Sequence, residues 1–264
     1  MEPFILSSDQ SFLTIQPWQN DPQIIAGFTT RYHGVSQEPY YSQNMGYHVG
    51  DESSDVLTNR TLLANKIGVN LEDWVAAEQV HDNQIKEAVT NDRGKGVFTL
   101  EDAIQGTDGL FTKQPRLLCT ALFADCVPVF FADRQKGMVA LAHAGWKGTA
   151  ANIVGEMTTR FQAESSELND IEVVIGPSIG PTCYQVDDRV IQHVASEYTQ
   201  IYEGDNGQYQ IDLKEWNRLL AIDAGIPPSQ IWKTSYCTAQ NPLFFSHREE
   251  GHPTGRMMGY IGLR

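Results

Sequence analysis

The sequence predicts an α/β protein built as one domain. Apolar runs of strand length alternate with segments whose apolar residues recur at helical spacing. At 264 residues the chain is long enough to bury a large core, and neither an internal repeat nor a low-complexity linker divides it. We therefore expect a single domain over residues 1–264.

The first third of the chain is predicted to contain a β-hairpin or meander, a loop and a helix. β-rich runs separated by prolines favour the strands, and a stretch rich in Gly, Tyr, Ser and Asn is typical of an ordered functional loop. Asp55 is expected to cap the helix and Gly68 to end it. In chain order, the prediction is a strand at 12–15, a strand at 24–30, a loop at 31–50 and a helix at 55–67.

The remaining two thirds are predicted to alternate strands and helices. Asp212 and Glu215 stand at capping-box spacing before a helix that Gly225 ends. The tail over 241–259 is Gly-rich with spaced arginines, and no strand is predicted in it. The predicted strands cover 74–77, 117–123, 138–142, 171–175 and 231–234, and the predicted helices cover 150–162, 187–202 and 212–224.

Charge restricts the partners. Lys and Arg number 19 against 33 Asp and Glu, which gives a formal net charge of −14 at pH 7. Such a surface repels phosphate backbones and anionic lipid, so we expect neither nucleic acid nor a membrane as a partner. A small anion can still bind within a local cluster of basic residues and backbone amides. The oligomeric state stays open.

The chain is expected to be cytoplasmic, with free thiols. No apolar run reaches the roughly 18 residues of a membrane span, and residues 1–6 lack the basic flank of a secretory signal. A chain of this size does not need disulfides, and its cysteines are too widely spaced for a Cys-x-x-Cys pair. They are Cys119, Cys126, Cys183 and Cys237.

Three residues are candidate ligands of one metal ion: His81, Cys126 and His143. Cys126 and His143 each lie just past an apolar run predicted as a buried strand, where a polar side chain needs a partner. A catalytic zinc takes three ligands from His, Cys or carboxylate and leaves a fourth position for water. The three residues lie far apart in sequence, so their proximity depends on the fold.

Two other interpretations of these residues stay open. Cys126 is a candidate nucleophile with His143 as its base and Asp125 or Asp82 orienting the imidazole, in a hydrolase that needs no metal. Alternatively, His81 is a surface residue, Cys126 a small core residue and His143 a hydrogen-bonded core histidine. The last case fits a protein that binds a partner without catalysis.

Basic and aromatic residues supply candidate substrate contacts. A surface charge or a structural ion pair is the alternative for each basic residue. The candidates to hold phosphate through charge-assisted hydrogen bonds are Arg31, Lys147, Arg248 and Arg256. The loop at 145–149 precedes a predicted helix and is a candidate anion cradle. The loop aromatics that can stack on a planar base, or fill a gap, are Tyr40, Tyr41, Tyr47 and Trp146.

Motifs spread over nearly the whole chain resemble those of one protein family. The motifs are Gly27-Phe28-Thr29-Thr30-Arg31, Asn44-Met45-Gly46-Tyr47-His48-Val49-Gly50, Gln79-Val80-His81, Ala124-Asp125-Cys126-Val127-Pro128, Ala142-His143-Ala144-Gly145-Trp146-Lys147-Gly148, Gly176-Pro177-Ser178-Ile179-Gly180 and Ser246-His247-Arg248. The Asp-Cys and His-Ala-Gly-Trp elements are the most specific of them. In these motifs the chain is similar to the YlmD/YfiH family, the bacterial relatives of the human protein FAMIN.

The resemblance implies a YfiH-like α/β domain with central β-sheets flanked by helices. It also implies that zinc, with copper as the alternative metal, is bound by the residues that carry catalysis, which are His81, Cys126 and His143. Within the same motifs, the residues expected to contact substrate or phosphate are Arg31, Asn44, His48, Lys147 and Arg248.

The names given to this family imply two different chemistries. One is purine nucleoside phosphorylase, acting on adenosine, inosine and methylthioadenosine with accompanying adenosine deaminase activity; the other is a copper-dependent polyphenol oxidoreductase, or laccase. A multicopper oxidase needs about ten His ligands, many in His-x-His pairs, whereas this chain has seven His and no such pair. We therefore expect a zinc enzyme, a transferase and hydrolase of purine nucleosides, with copper-dependent oxidation as the alternative.

Overall fold

Two six-stranded β-sheets form the centre of the protein, whose 264 residues are all described by a computed structural model. Strands and helices are numbered here in chain order. The first sheet contains, in spatial order, β1 (Phe4–Leu6), β2 (Phe12–Ile15), β3 (Ile24–Thr29), β15 (Met257–Leu263), β7 (Leu117–Phe123) and β4 (Trp74–Ala76). The two strands predicted as a hairpin or meander are β2 and β3, which pair antiparallel, and β1, which was not predicted, pairs antiparallel with β2.

The second sheet contains β14 (Ile231–Lys233), β10 (Glu172–Ile175), β8 (Val127–Asp133), β9 (Met138–Ala144), β6 (Gly109–Thr112) and β5 (Ile85–Glu87), in spatial order. A small third sheet contains β11 (Gln185–Val186), β13 (Gln208–Ile211) and β12 (Tyr202–Asp205). The helices are α1 (Ser53–Ile67), α2 (Trp146–Ala150), α3 (Ile153–Ala163), α4 (Asp188–Ile191), α5 (Leu213–Asp223) and α6 (His247–Glu250).

The two large sheets pack face to face, with helices on their outer faces. Phe28 and Phe123 of the first sheet share one buried cluster with Phe130 and Leu141 of the second. The outer face of the second sheet is covered by α3 and α5, and that of the first by α1. The predicted α/β class, with central sheets flanked by helices, is confirmed.

The strand at the C-terminus, β15, was not predicted. β15 lies in the middle of the first sheet, antiparallel to both β3 and β7. Its sequence, Met257 to Leu263, contains two glycines, which weaken a strand prediction. Its neighbours explain them: a Cβ on Gly262 would lie 2.4 Å from the Leu117 carbonyl oxygen, so only glycine fits there.

β8 was also not predicted, and its partner strand is longer than expected. Val127 to Asp133 is buried at every position and pairs antiparallel with β9. This pairing extends β9 to Ala144, so His143 lies inside the strand, opposite Pro128, and not past its end. Cys126 lies in the turn between β7 and β8.

Three helix predictions needed correction. α1 begins at Ser53, two residues before the predicted cap Asp55, with Glu52 as its N-cap residue. The helix predicted at 150–162 is interrupted at Asn152, whose φ of 59° ends α2 and whose side chain caps α3. In the range 187–202, only the four residues of α4 are α-helical, followed by a 3-10 segment at Ser196–Ile201. α5 begins at Leu213, directly after its predicted cap, Asp212.

The chain passes between the two sheets at two points that lie side by side. Residues 77–84 connect β4 of the first sheet to β5 of the second, and residues 124–126 connect β7 to β8. Because β4 and β7 are parallel neighbours, both connections leave the first sheet at the same end. This brings His81 and Cys126 together. No helix of the structure is long and apolar enough to cross a membrane.

We predict that Gly27→Ala destabilises the protein by about 3 kcal/mol through overpacking. A Cβ at this position of β3 would lie 2.3 Å from the Tyr260 hydroxyl oxygen and 2.6 Å from the Leu13 carbonyl oxygen. Urea unfolding measures the free energy of unfolding. The control is Gly137→Ala, where the methyl group meets nothing within 4 Å and only the φ of 59° costs about 1 kcal/mol. Equal losses in the two variants would contradict the packing argument.

Candidate metal centre

The structure brings His81, Cys126 and His143 together as one potential metal-binding group. One ligand atom from each lies within 4.8 Å of the other two, and the imidazole centroids of the two histidines are 4.8 Å apart. His143 is buried, Cys126 is half-buried and His81 is exposed. The group therefore has one open side, as a catalytic site requires.

Asp108 holds the two histidines in position. Its carboxylate accepts hydrogen bonds from the backbone N–H groups of Val80, His81 and Asp82 at 2.9–3.1 Å. The same carboxylate lies 2.8 Å from Nδ1 of His143. Nδ1 therefore carries the proton donated to Asp108, and Nε2 is left to bind a metal, the arrangement usual for metal-bound histidine.

This geometry corrects the prediction that Asp82 or Asp125 orients the imidazole. Burial raises the pKa of Asp108, but the hydrogen bonds from His143 and from the loop amides outweigh it and lower the pKa below its ordinary value. Asp108 is thus ionised at neutral pH. Asp82 is exposed, and its carboxylate accepts a hydrogen bond from the N–H of Asn83.

Gln79 and Gly145 explain two of the motifs around the ligands. The Gln79 side chain exchanges two hydrogen bonds of 2.8 Å with the backbone of Leu122, which fixes the loop before His81 to the end of β7. A Cβ on Gly145 would lie 3.1 Å from Sγ of Cys126 and 3.2 Å from the His81 ring. A larger residue at position 145 would therefore crowd two of the ligands.

Asp125 fixes the turn that carries Cys126. Its carboxylate accepts hydrogen bonds from the hydroxyls of Thr238 (2.6 Å) and Ser246 (3.1 Å) and from the N–H of Arg248 (2.7 Å). Its φ of 82° is in the left-handed region, which costs about 1 kcal/mol for a non-glycine residue. The three hydrogen bonds offset that cost, and they anchor the start of α6 beside the metal centre.

The charges of the ligands are coupled in the metal-free protein. Burial raises the pKa of Cys126, but the neighbouring His143 and His81 outweigh burial and lower the pKa to about 6. Burial lowers the pKa of His143, but Cys126 and Asp108 outweigh it and raise the pKa to about 9. At pH 7 the pair is a thiolate and an imidazolium, so the sulfur is already in the form that binds a metal.

Of the predicted substrate and phosphate contacts, His48 and Arg256 line the same cavity as the three ligands. This cavity has a volume of about 540 Å³. Lys147 lines a second cavity of about 580 Å³, together with Trp146 and His193, and His81 borders both cavities. The 145–149 loop forms the start of α2, with Gly145 as its N-cap residue.

The other three predicted contacts interact with the protein itself. Arg31 forms an ion pair with Glu250. Asn44 is fully buried, and its side chain is hydrogen-bonded to the surrounding loop. Arg248 donates a hydrogen bond of 3.1 Å to the Cys183 carbonyl oxygen. The structure does not bring these three side chains into the cavity with the metal ligands.

Three residues at the centre were not predicted: Asp108, His247 and His252. Asp108 lies in a short polar segment before β6, and its sequence context gives no sign that its carboxylate is buried. His247 and His252, whose rings are 4.2 Å apart, line the cavity from the C-terminal segment. His247 belongs to the Ser-His-Arg motif, which was the available signal.

Comparison with known proteins identifies the family. Residues 25–264 match the family described as multi-copper polyphenol oxidoreductase laccase. The purine nucleoside phosphorylase YlmD of Bacillus subtilis is 44% identical over an alignment of 272 positions, which covers 99% of this chain and 98% of that protein. The chain belongs to the YlmD/YfiH family. A second YlmD, of Geobacillus stearothermophilus and also named a purine nucleoside phosphorylase, is 45% identical and covers 91% of this chain and 90% of its own.

Solved structures of family members have the same fold. The hypothetical protein YfiH of Bacillus licheniformis matches over 100% of both chains with a TM-score of 0.96 and 42% identity. YlmD from Geobacillus stearothermophilus also matches over 100% of both chains, with a TM-score of 0.95 and 42% identity. Membership of the YlmD/YfiH family therefore extends over the whole chain, as the motifs indicated.

We predict that Asp108→Asn weakens binding of Zn²⁺ about 10- to 100-fold, as loss of a supporting hydrogen bond to a metal-bound histidine typically does. The side-chain amide of Asn has a single acceptor oxygen. It therefore cannot accept hydrogen bonds both from the backbone N–H groups of the loop and from His143, as the carboxylate does. Competition with a chromophoric chelator measures the affinity, and circular dichroism checks the fold. Asp82→Asn, a matched change at an exposed carboxylate, is expected to bind Zn²⁺ like the wild type. Equal affinities for the two variants would refute the role of Asp108.

We also predict that Cys126 of the metal-free protein reacts with iodoacetamide at neutral pH. The thiolate is present above its pKa of about 6, so the rate is expected to fall as the pH drops through 6, and bound metal is expected to block the reaction. Mass spectrometry of the modified peptide measures the rate. Cys119 is the internal control, because burial raises its pKa to about 12 and it stays unmodified. If the alkylation rate instead has its midpoint near pH 8.5, Cys126 has the pKa of an ordinary thiol and the prediction is wrong.

Proposed function

We propose that this protein is a zinc-dependent purine nucleoside phosphorylase. Its substrates are adenosine, inosine and methylthioadenosine, which it converts with phosphate to the free base and a ribose 1-phosphate. It also deaminates adenosine: an oxygen from water replaces the amino group at C6, and ammonia is released. Two relatives that align with at least nine-tenths of the chain bear the name purine nucleoside phosphorylase.

The observation that carries this proposal is the group of two imidazoles and one thiolate that lines a cavity. Its volume of about 540 Å³ is within the range of small-molecule sites. Two nitrogens and one sulfur suit zinc, and three protein ligands leave a position for water or substrate. When bound at His81, Cys126 and His143, zinc would supply a Lewis acid and an acidic water.

The residues of the chain would provide positioning and protons. In phosphorolysis a phosphate oxygen forms a bond to C1′ while the bond from C1′ to the base nitrogen breaks; the electron pair leaves with the base, which takes up a proton. His48 lies in the cavity to contact substrate. Trp146 lines the neighbouring cavity beside His81 and offers an aromatic face to the purine. Lys147, in that same cavity, is available to an anionic or polar group.

Phenol oxidation is the second candidate, because the matching family is described as a polyphenol oxidoreductase. A multicopper mechanism needs a mononuclear and a trinuclear copper site. The structure contains one group of three such ligands, and only seven histidines are present in the chain. Oxidation would therefore have to proceed at a single copper bound in place of zinc.

The test is product analysis with inosine and inorganic phosphate. We expect ribose 1-phosphate and hypoxanthine from the wild type, and a loss of at least about 100-fold in turnover for Cys126→Ala and His81→Ala. Cys119→Ala removes a matched thiol from the core and is expected to retain activity. Equal product from the wild type and Cys126→Ala would disprove the proposed mechanism.

Metal replacement separates the competing functions. Chelation is expected to abolish phosphorolysis and added Zn²⁺ to restore it. A copper oxidase would instead consume oxygen with a phenol in proportion to bound copper. A cysteine hydrolase that uses Cys126 and His143 would survive chelation and be inactivated by alkylation of the thiol.

A further inference from the structure

The cavity above the metal centre has one wall of basic side chains. His48, His247, His252 and Arg256 line it together with the three metal ligands, and Glu78 is the one carboxylate in the lining. This is unexpected in a chain with a formal net charge of −14. The basic wall is formed by two segments, the 44–50 loop and the 246–256 segment, that are distant in sequence.

Arg256 is the cation of this wall that forms no salt bridge; burial lowers its pKa, and the nearby Cys126 and Asp125 offset only part of that effect. One guanidinium nitrogen, Nη1, donates to the carbonyl oxygens of Thr254 and Gly255, at 2.9 Å each, and the side chain forms no salt bridge with any carboxylate. A guanidinium has five N–H donors, so most of them have no protein partner. A half-buried charge without a partner is costly, and a bound anion would remove that cost.

The Asn44 motif places Arg256 next to His48. Asn44 Oδ1 accepts the N–H of Arg256 at 2.9 Å and the N–H of Gly46 at 3.0 Å, and the N–H of Met45 donates to the Arg256 carbonyl oxygen at 3.0 Å. A Cβ on Gly46 would lie 3.0 Å from Cγ of Arg256 and 3.2 Å from Cε1 of His48. The glycine therefore lets both side chains approach the same point of the cavity.

The electrostatics agree with this placement. Removal from water lowers the pKa of His48, and the charge of Arg256 lowers it further, to about 4. Removal from water, then His252 and Arg256, also lower the pKa of His247. At neutral pH His48 is thus an uncharged hydrogen-bonding group beside a fixed positive charge. Such a pair suits a tetrahedral oxyanion, which takes hydrogen bonds from several directions.

We propose that Arg256, with His48 beside it and the His247–His252 pair in the same cavity, is the site that binds inorganic phosphate next to the metal centre. This assignment rests on the proposed function for the identity of the anion. Among the arginines expected to hold phosphate it selects Arg256, because Arg31 is paired with Glu250 and Arg248 lines a different cavity. Asn44 becomes a positioning residue for Arg256.

The test is titration calorimetry of the zinc-loaded protein with inorganic phosphate, without nucleoside. We expect Arg256→Gln to weaken phosphate binding at least about tenfold, Arg256→Lys to weaken it less because the charge remains, and His48→Gln to weaken it by a smaller factor. Arg160→Gln, at an exposed arginine of α3, is the matched control and is expected to bind phosphate like the wild type. Circular dichroism and zinc content confirm that each variant is folded and loaded.

Steady-state kinetics provide the second readout. Arg256→Gln is expected to raise KM for phosphate at least about tenfold while KM for inosine stays within about twofold, a split that a general loss of structure would not produce. The proposal is overturned if Arg256→Gln binds phosphate like the wild type, if Arg248→Gln causes the loss instead, or if phosphate binding disappears on chelation alone and is unaffected by changes at Arg256.

The two proposals fail in different ways. If the wild type binds phosphate through Arg256 but forms no ribose 1-phosphate from inosine, the anion site stands and the proposed reaction is wrong. If the wild type forms ribose 1-phosphate and Arg256→Gln leaves KM for phosphate unchanged, the reaction stands and the assignment of Arg256 is wrong.

Discussion

The buried carboxylate of Asp108 is the contact on which the candidate metal centre depends. It joins the loop that carries His81 to the strand that carries His143, with four donors on two oxygens. The φ of 61° at His81 is in the left-handed region and needs such support. Without this carboxylate the loop would lose three hydrogen bonds and His143 its orientation, so the two imidazoles would no longer be held toward one point.

Asp125 has the corresponding role on the other side of the centre. It fixes the turn between β7 and β8 and, through Ser246 and Arg248, the beginning of α6. The same contacts set the position of the segment that contains His247, His252 and Arg256. The turn that carries Cys126 and the segment that carries the basic side chains of the cavity are therefore fixed by one carboxylate, although they come from distant parts of the chain. In this way basic side chains are gathered locally in a chain of net negative charge.

The sequence predicted most elements whose signal is local. β2, β3, α1, α5 and its Asp212 cap follow from periodicity and capping residues, and the motifs identified the family. β15 was missed because its glycines weaken a strand prediction. They fit the strand only because residues of neighbouring strands, such as Leu117, leave no room for a Cβ. The helix predicted over 187–202 was mostly absent, because α4 ends at Ile191 and a 3-10 segment at Ser196–Ile201 leads into β12. Apolar spacing does not distinguish such a region from a helix.

By itself, the sequence determined the α/β class, the family and the three residues worth considering as ligands, because these depend on residue type and local spacing. Only the tertiary structure decided that His81, Cys126 and His143 approach within 4.8 Å, that Asp108 orients them, and that Arg31 and Arg248 are engaged elsewhere. The physical reason is that ion pairing and burial depend on residues brought together across the two sheet crossings. A local pattern contains no information about those partners.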